Sequence, residues 1–269
     1  MKLIFQSDDY AITHAVSVGI LQGINEGIIS GTGMFTNMPD SVWAAEQIKN
    51  NKMVSVGIDI NLVTGKPLTD ISLVPNLVDA EGNLVRSSTR ARMGTIEKVE
   101  GFKVTYSVDP FTFEEVLIET ENQVKKFIEI MGRKPAYLHG HAIETPNSKK
   151  AAIMIAEKYD IPMSRDLMSH PKVTILPSPW MHKTTDLNAQ YELNVEQLFI
   201  DELSKLLDKE IVYHISHCGY VDDELLKLSS FTLIRPKDLA SALSLKVASF
   251  IEEHNIELIT HEQLIKELY

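Results

Sequence analysis

The sequence reads as an α/β protein: a single (β/α) barrel-like domain of irregular form, with a long insertion after its third strand. Three observations point there. Short β-branched or apolar runs alternate with amphipathic stretches of helical length, the pattern of parallel strands joined by crossover helices. Polar, chemistry-bearing residues recur where the apolar runs end, which is where active sites assemble in parallel α/β folds. No fixed-period repeat, low-complexity tract or Ser/Gly linker divides the 269 residues, so one domain spanning 1–269 is expected. The same alternation also builds an open doubly wound sheet, and that alternative stays open.

Strands are expected at 2–6, 33–37, 54–62, 136–141, 211–217 and 256–260. Between them, 15–26 carries Val18, Leu21 and Ile24 on one helical stripe and stops at Gly27; 113–131 and 149–159 repeat the logic, with Gly132 and Pro162 following. The rhythm breaks over 64–110, where Gly65, Pro67, Pro75, Gly82 and Gly101 interrupt any periodicity. Such an excursion in a βα connection commonly lids or walls a site. A second irregular stretch, 169–188, holds Pro171, Pro177 and Pro179.

Composition excludes several classes of function. With 44% hydrophobic and 23% charged residues the chain has the make-up of a folded domain and not of a disordered one. Cys218 is the only cysteine, which rules out an internal disulfide and fits a reducing compartment. The apolar run at the N-terminus is too short for a signal peptide and no later stretch approaches a membrane span, so the protein is expected in the cytoplasm, without a membrane partner. A net charge of −11 argues against nucleic acid, and the arginine cluster Arg86, Arg90 and Arg92 reads as a solvated loop.

Four strand ends carry chemistry: Ser7-Asp8-Asp9-Tyr10, Asp59 within Gly57-Ile58-Asp59-Ile60, His139-Gly140-His141, and His217-Cys218-Gly219-Tyr220. An Asp pair after a strand also serves as a turn or helix cap. Asp59 interrupts an apolar run, where a lone carboxylate is costly, so a metal or a base is expected beside it. His139 and His141 are two apart and face the same way on an extended strand, a spacing that presents two imidazoles to one ion. Cys218 beside His217 is not expected to be a nucleophile, because neighbours on an extended chain point in opposite directions.

In combination these segments resemble the YdjC-type carbohydrate deacetylases, the family that includes the chitooligosaccharide deacetylases. The family's Ala-Asp-Asp-Phe-Gly is matched by Ser7-Asp8-Asp9-Tyr10-Ala11, and its Gly-Ile pair by Gly19-Ile20. Its Val-Gly-Leu-His-Leu-x-Leu-Thr-x-Gly-x-Pro-Leu appears as the run from Val56 to Leu68, with the threonine displaced by one position. Its Asp-Ser-His-x-His corresponds to the segment from His139 to Ile143, and its His-Pro-Gly to His217-Cys218-Gly219. The order is kept over nearly the whole chain. Three departures stand out: Asp59 replaces the family's ligand histidine, His139 replaces an aspartate, and Cys218 replaces a proline.

The resemblance implies a divalent ion held by Asp9, Asp59 and His141, with His139 as the alternative ligand. It further implies Asp8 as the general base toward the attacking water, His217 as the general acid, and Arg165 as the strand-end arginine that orients substrate. Tyr10 and Tyr220 join it as substrate-facing candidates, against the plainer readings of packed tyrosines and a surface ion pair. A carboxylate in place of an imidazole hardens the site, favouring magnesium or manganese over zinc. The expected activity is hydrolysis of an acetyl group from an N-acetylated sugar or small oligosaccharide, phosphorylated or not, by a homodimer. Two alternatives remain: a metal-dependent sugar or sugar-phosphate isomerase, and a sugar-binding protein without activity.

Overall fold

The computed structural model describes residues 1–100, 103–183 and 186–269; Gly101 lies outside them. The chain begins with β1 (Lys2–Tyr10), α1 (His14–Glu26), β2 (Gly31–Met34), α2 (Ser41–Ile48) and β3 (Ser55–Ile60). The insertion follows, with α3 (Ser87–Met93) and the strands β4 (Thr95–Glu100) and β5 (Lys103–Val108). Next come α4 (Phe113–Met131), β6 (Leu138–Gly140), α5 (Pro146–Tyr159), α6 (Ser164–Met168) and β7 (Val173–Ile175). The chain ends with α7 (Leu187–Glu192), α8 (Val195–Ser204), β8 (Ile211–Ser216), α9 (Asp223–Leu228), α10 (Ile234–Ala242), α11 (Leu245–Glu253), β9 (Glu257–Leu258) and α12 (His261–Leu268).

Seven strands make one parallel sheet in the order β6-β3-β2-β1-β8-β7, with β9 paired to the start of β1. The sheet curls into part of a barrel, so the barrel-like expectation holds and the open doubly wound alternative falls. Both faces of the central strand are covered: Leu3, Ile4 and Phe5 are each at most 1% exposed, as a parallel sheet between helices requires. The helix over 113–131 ends where Gly132 adopts φ +68, a left-handed stop that glycine accommodates without strain. Among the described residues no helix is long and apolar enough to cross a membrane.

All six expected strands are present, but the first runs on to Tyr10 and so carries Asp8 and Asp9 within it. Three strands were not expected: β7, and the antiparallel pair β4 and β5 inside the insertion. The arginine cluster also needs correction. Residues 87–93 are helical, and Arg90 is 1% exposed, donating to the carbonyls of Leu77 and Pro110 instead of facing solvent.

Candidate active site

The carboxyl ends of β1, β3, β6 and β8 converge on a pocket of about 150 Å³. Asp8, Asp9, Asp59, His139, His141 and His217 all line it. That Asp8 and Asp9 do so together needs explanation, because consecutive strand residues point to opposite faces. The register between β1 and β2 breaks between Ser7 and Tyr10, and Asp9 adopts φ +70. This left-handed residue undoes the alternation and brings both carboxylates to one side, with the backbone strain that functional sites often hold. His139 and His141, two apart, face the pocket together as their spacing requires.

The donor atoms of Asp8, Asp59 and His139 lie within 4.8 Å of one another, the one such group among the described residues. Opposite ligands of a magnesium-sized ion are about 4.2 Å apart. The ring of His139 is oriented from behind: its Nδ1 is 2.6 Å from the Ser164 hydroxyl, leaving Nε2 directed at Asp8, 3.6 Å away. Anchoring of the second ring nitrogen is how metal-ligating histidines are usually fixed. Asp8 is itself held by Gln6, whose amide donates to its Oδ1. The Gln6 carbonyl oxygen accepts from Tyr213 and lies 3.0 Å from His261 Nε2, which decides which way the amide points.

Asp9 sits in a second set of contacts. Its Oδ2 accepts from the buried Arg235 guanidinium at 2.5 Å. Its Oδ1 is 2.9 Å from His141 Nδ1. Asp59 Oδ2 accepts from the Asp9 backbone N–H at 3.0 Å, while its Oδ1 is buried without a hydrogen-bond partner among the described residues. Such orphaned carboxylate oxygens in a buried site call for a cation.

The titration behaviour points the same way. Burial pushes Asp8 up to about 8, opposed by the Gln6 hydrogen bond and reinforced by the Asp9 charge. Burial likewise lifts Asp59 to about 8, with Asp8 adding to it and His139 opposing. For Asp9, burial is outweighed by His141 and then Arg235, which hold it well below the usual carboxylate range. His217 is lowered to about 4, chiefly by burial. Three buried carboxylates thus line a pocket beside the single guanidinium of Arg235, a deficit of positive charge that a divalent ion would fill.

The pocket opens into a larger cavity of about 610 Å³, which shares Asp9, His141, Met181 and His217 with it and lies within the usual size range for small-molecule sites. Val63, Thr64, Arg86, Ser87 and Ser88 line one wall, so the insertion does border the site. The remaining expected residues lie elsewhere. Tyr10 is fully buried and donates to the Ala44 carbonyl, so it packs in the core. Arg165 pairs with Glu144 at 2.7 Å, and Tyr220, 41% exposed, donates to Gln22. Cys218 is buried and its thiol is pushed up by burial to about 12, which leaves it inert at neutral pH.

Sequence reasoning passed over Arg235, Asp238, Ser164 and Gln6. Arg235 and Asp238 stand one turn apart on α10; the first holds Asp9, and the second accepts from the His217 backbone N–H at 2.8 Å. The one available signal was an arginine set in the apolar run Phe231-Thr232-Leu233-Ile234.

Comparison with known proteins gives relatives over the full chain. "Carbohydrate deacetylase 2" of Listeria innocua is 29% identical over 270 residues, covering 99% of this chain and 100% of the relative. A carbohydrate deacetylase of Clostridium beijerinckii is also 29% identical, covering 98% and 100%. Among solved structures, one described as a cellobiose-phosphate cleavage protein from Enterococcus faecalis V583 superposes with a TM-score of 0.74, covering 98% of both chains at 21% identity, a likeness of fold alone. The family described as YdjC-like protein matches residues 2–253, and with so much of the chain covered, this protein belongs to the YdjC-like family.

Proposed function

We propose that this protein is a divalent-metal-dependent hydrolase that removes the acetyl group from an N-acetylated sugar or small oligosaccharide, with residues 1–269 acting as one catalytic domain. The observation that carries the reading is the convergence of three buried carboxylates and three imidazoles on one pocket, short of positive charge and open to a cavity of about 610 Å³. The carbohydrate deacetylases among its relatives supply the substrate class.

When bound, a hard divalent ion such as magnesium or manganese polarises the amide carbonyl and acidifies the attacking water. Asp8, Asp59 and His139 are the donors whose geometry suits it best. Asp9, held ionised by Arg235 and His141, then stands beside them to take the proton of the attacking water. His217 starts neutral, would take up the proton that Asp9 removes from the attacking water, and would deliver it to the departing amine nitrogen as the C–N bond breaks. Acetate and the free amino sugar result.

A second arrangement has support of its own: Asp9, Asp59 and His141 line the same pocket, with Asp9 Oδ1 2.9 Å from His141 Nδ1, and would serve as ligands with Asp8 as base. Asp8→Asn and Asp9→Asn separate the two. The variant that loses the ion marks the ligand, and the one that keeps the ion but loses turnover marks the base.

The activity is tested by supplying metal-loaded protein with N-acetylated mono- and disaccharides and measuring acetate. Arg86 and Lys227 on the cavity wall are the reason to include 6-phosphorylated sugars. Acetate release from at least one sugar is expected. None from any, with a bound ion present, would reject the deacetylase reading.

A further inference from the structure

Below the pocket, toward the amino ends of the strands, lies a layer of polar side chains that no step of the proposed chemistry uses. Gln6 on β1, Tyr213 on β8 and His261 at the start of α12 are each 0% exposed and meet in one triangle. Tyr213 donates to Gln6 Oε1, and His261 Nε2 lies 2.7 Å from the Tyr213 oxygen and 3.0 Å from Gln6 Oε1. The protons can be placed from this geometry. The one proton of the Tyr213 hydroxyl is directed at Gln6, so both atoms facing His261 Nε2 are acceptors, and Nε2 must be the protonated ring nitrogen. Burial pushes His261 down to about 3, so at neutral pH the ring carries that single proton. Gln6 Oε1 then accepts twice, and the Gln6 amide N–H is turned toward Asp8, donating to its Oδ1.

As a device for stability alone the layer is expensive. Buried polar groups are tolerated when their hydrogen bonds are complete. Here His261 Nδ1 and the hydroxyl of Tyr137, whose ring stacks on His261 at 4.1 Å, have no hydrogen-bond partner among the described residues. The ring is nonetheless closely fitted. Its backbone N–H donates to Ser55 Oγ at 2.7 Å, and β2 admits it with a glycine: a Cβ on Gly31 would stand 2.5 Å from His261 Cε1.

We propose that His261 and Tyr213 are positioning residues for Asp8: they hold the Gln6 amide in one orientation, and through it keep the Asp8 carboxylate aimed into the pocket. The inference rests on the deacetylase reading above and holds whether Asp8 binds the ion or serves as base. A flipped amide would set Gln6 Oε1 against the carboxylate and its N–H groups against two other donors, so the pair on the far side of Gln6 decides what Asp8 meets. ¹⁵N NMR of the full-length protein, free of paramagnetic ions, reads the arrangement without any substitution. His261 should show a protonated Nε2, and a protonated Nδ1 would overturn the proposal.

Substitutions then read the consequence, with folding checked by circular dichroism. Tyr213→Phe and His261→Leu should each lower kcat at saturating Mn²⁺ about tenfold or more if Asp8 is the base, or weaken Mn²⁺ binding by as much, measured by calorimetry, if Asp8 is a ligand. His261→Gln, whose amide can place an N–H where Nε2 stands, should recover most of the loss. In a Gln6→Leu background neither Tyr213→Phe nor His261→Leu should cause a further fall, because both act through Gln6. A folded Tyr213→Phe protein with wild-type kcat and Mn²⁺ affinity, or an equal further fall in the Gln6→Leu background, would overturn the proposal. Acetate release by the wild type is the separate control: its absence rejects the deacetylase reading itself, while the His261 tautomer still decides the arrangement.

Discussion

Asp9 shows how much of this site depends on single charges. It is 2% exposed and its one guanidinium partner among the described residues is Arg235, itself 1% exposed. Removing one member of a buried pair leaves the other uncompensated, so Arg235→Ala should destabilise the fold by about 3–5 kcal/mol, read from the denaturant midpoint. A loss under about 1 kcal/mol would mean that the pair is solvated like a surface bridge. His217 makes a different prediction. Its backbone is held by Asp238 and its Nδ1 has no hydrogen-bond partner among the described residues, so His217→Ala should leave metal content and folding near wild type. Deacetylation should nonetheless fall by about 10²-fold or more. Lost metal would make it a ligand, and full activity would end the general-acid role. The residues of this pocket were readable in the sequence because Asp and His at the ends of apolar runs are rare without a reason. Arg235 and Ser164 were not, because each holds a pocket residue, Asp9 or His139, from a helix far from it in sequence, and no local spacing marks such a residue.

The strands were readable where they are buried on both faces and lost where they are not. The run 54–62 stands out by unbroken burial, whereas β7 is three residues long between proline-rich segments and half exposed. In the insertion, β4 and β5 pair with Ile96, Val99 and Val108 exposed, so no apolar period announces them. Nor did the strand pattern reveal the close passage of β2 against Asp59. Gly33 is in register with Gly57, yet its missing side chain is what admits the Asp59 carboxylate from β3. Gly33→Ala should therefore fold, because the clashing atom belongs to a side chain that can turn away. It should bind a divalent ion about tenfold or more weakly, because Asp59 has turned. A Gly33→Ala protein with wild-type metal affinity would mean that Asp59 holds no ion.

Taken together, the buried titratable groups give the whole protein a pH dependence that a bound ion should erase. Asp8 and Asp59, lifted by burial to about 8 from 3.8, bind a proton more tightly folded than unfolded. Their contribution to stability is complete at low pH and is lost as pH rises from about 4 to about 8. His214, His217 and His261, lowered by burial to about 3, 4 and 3, act oppositely, but their gain is complete once pH passes 6.5. Between pH 6.5 and 8 the metal-free protein should therefore lose on the order of a few kcal/mol, visible as a falling Tm, and saturating Mn²⁺ should flatten that fall. A metal-free Tm that does not fall over this window would mean that the carboxylates are already neutralised within the protein. The most direct measurement joins ion and chemistry: acetate released from an N-acetylated disaccharide by chelator-stripped protein as Mn²⁺ is titrated back. Activity should be absent without the ion and rise to a plateau near one equivalent. Release that is unchanged by chelation, or absent at full loading on every N-acetylated sugar tried, would contradict a metal-dependent sugar deacetylase.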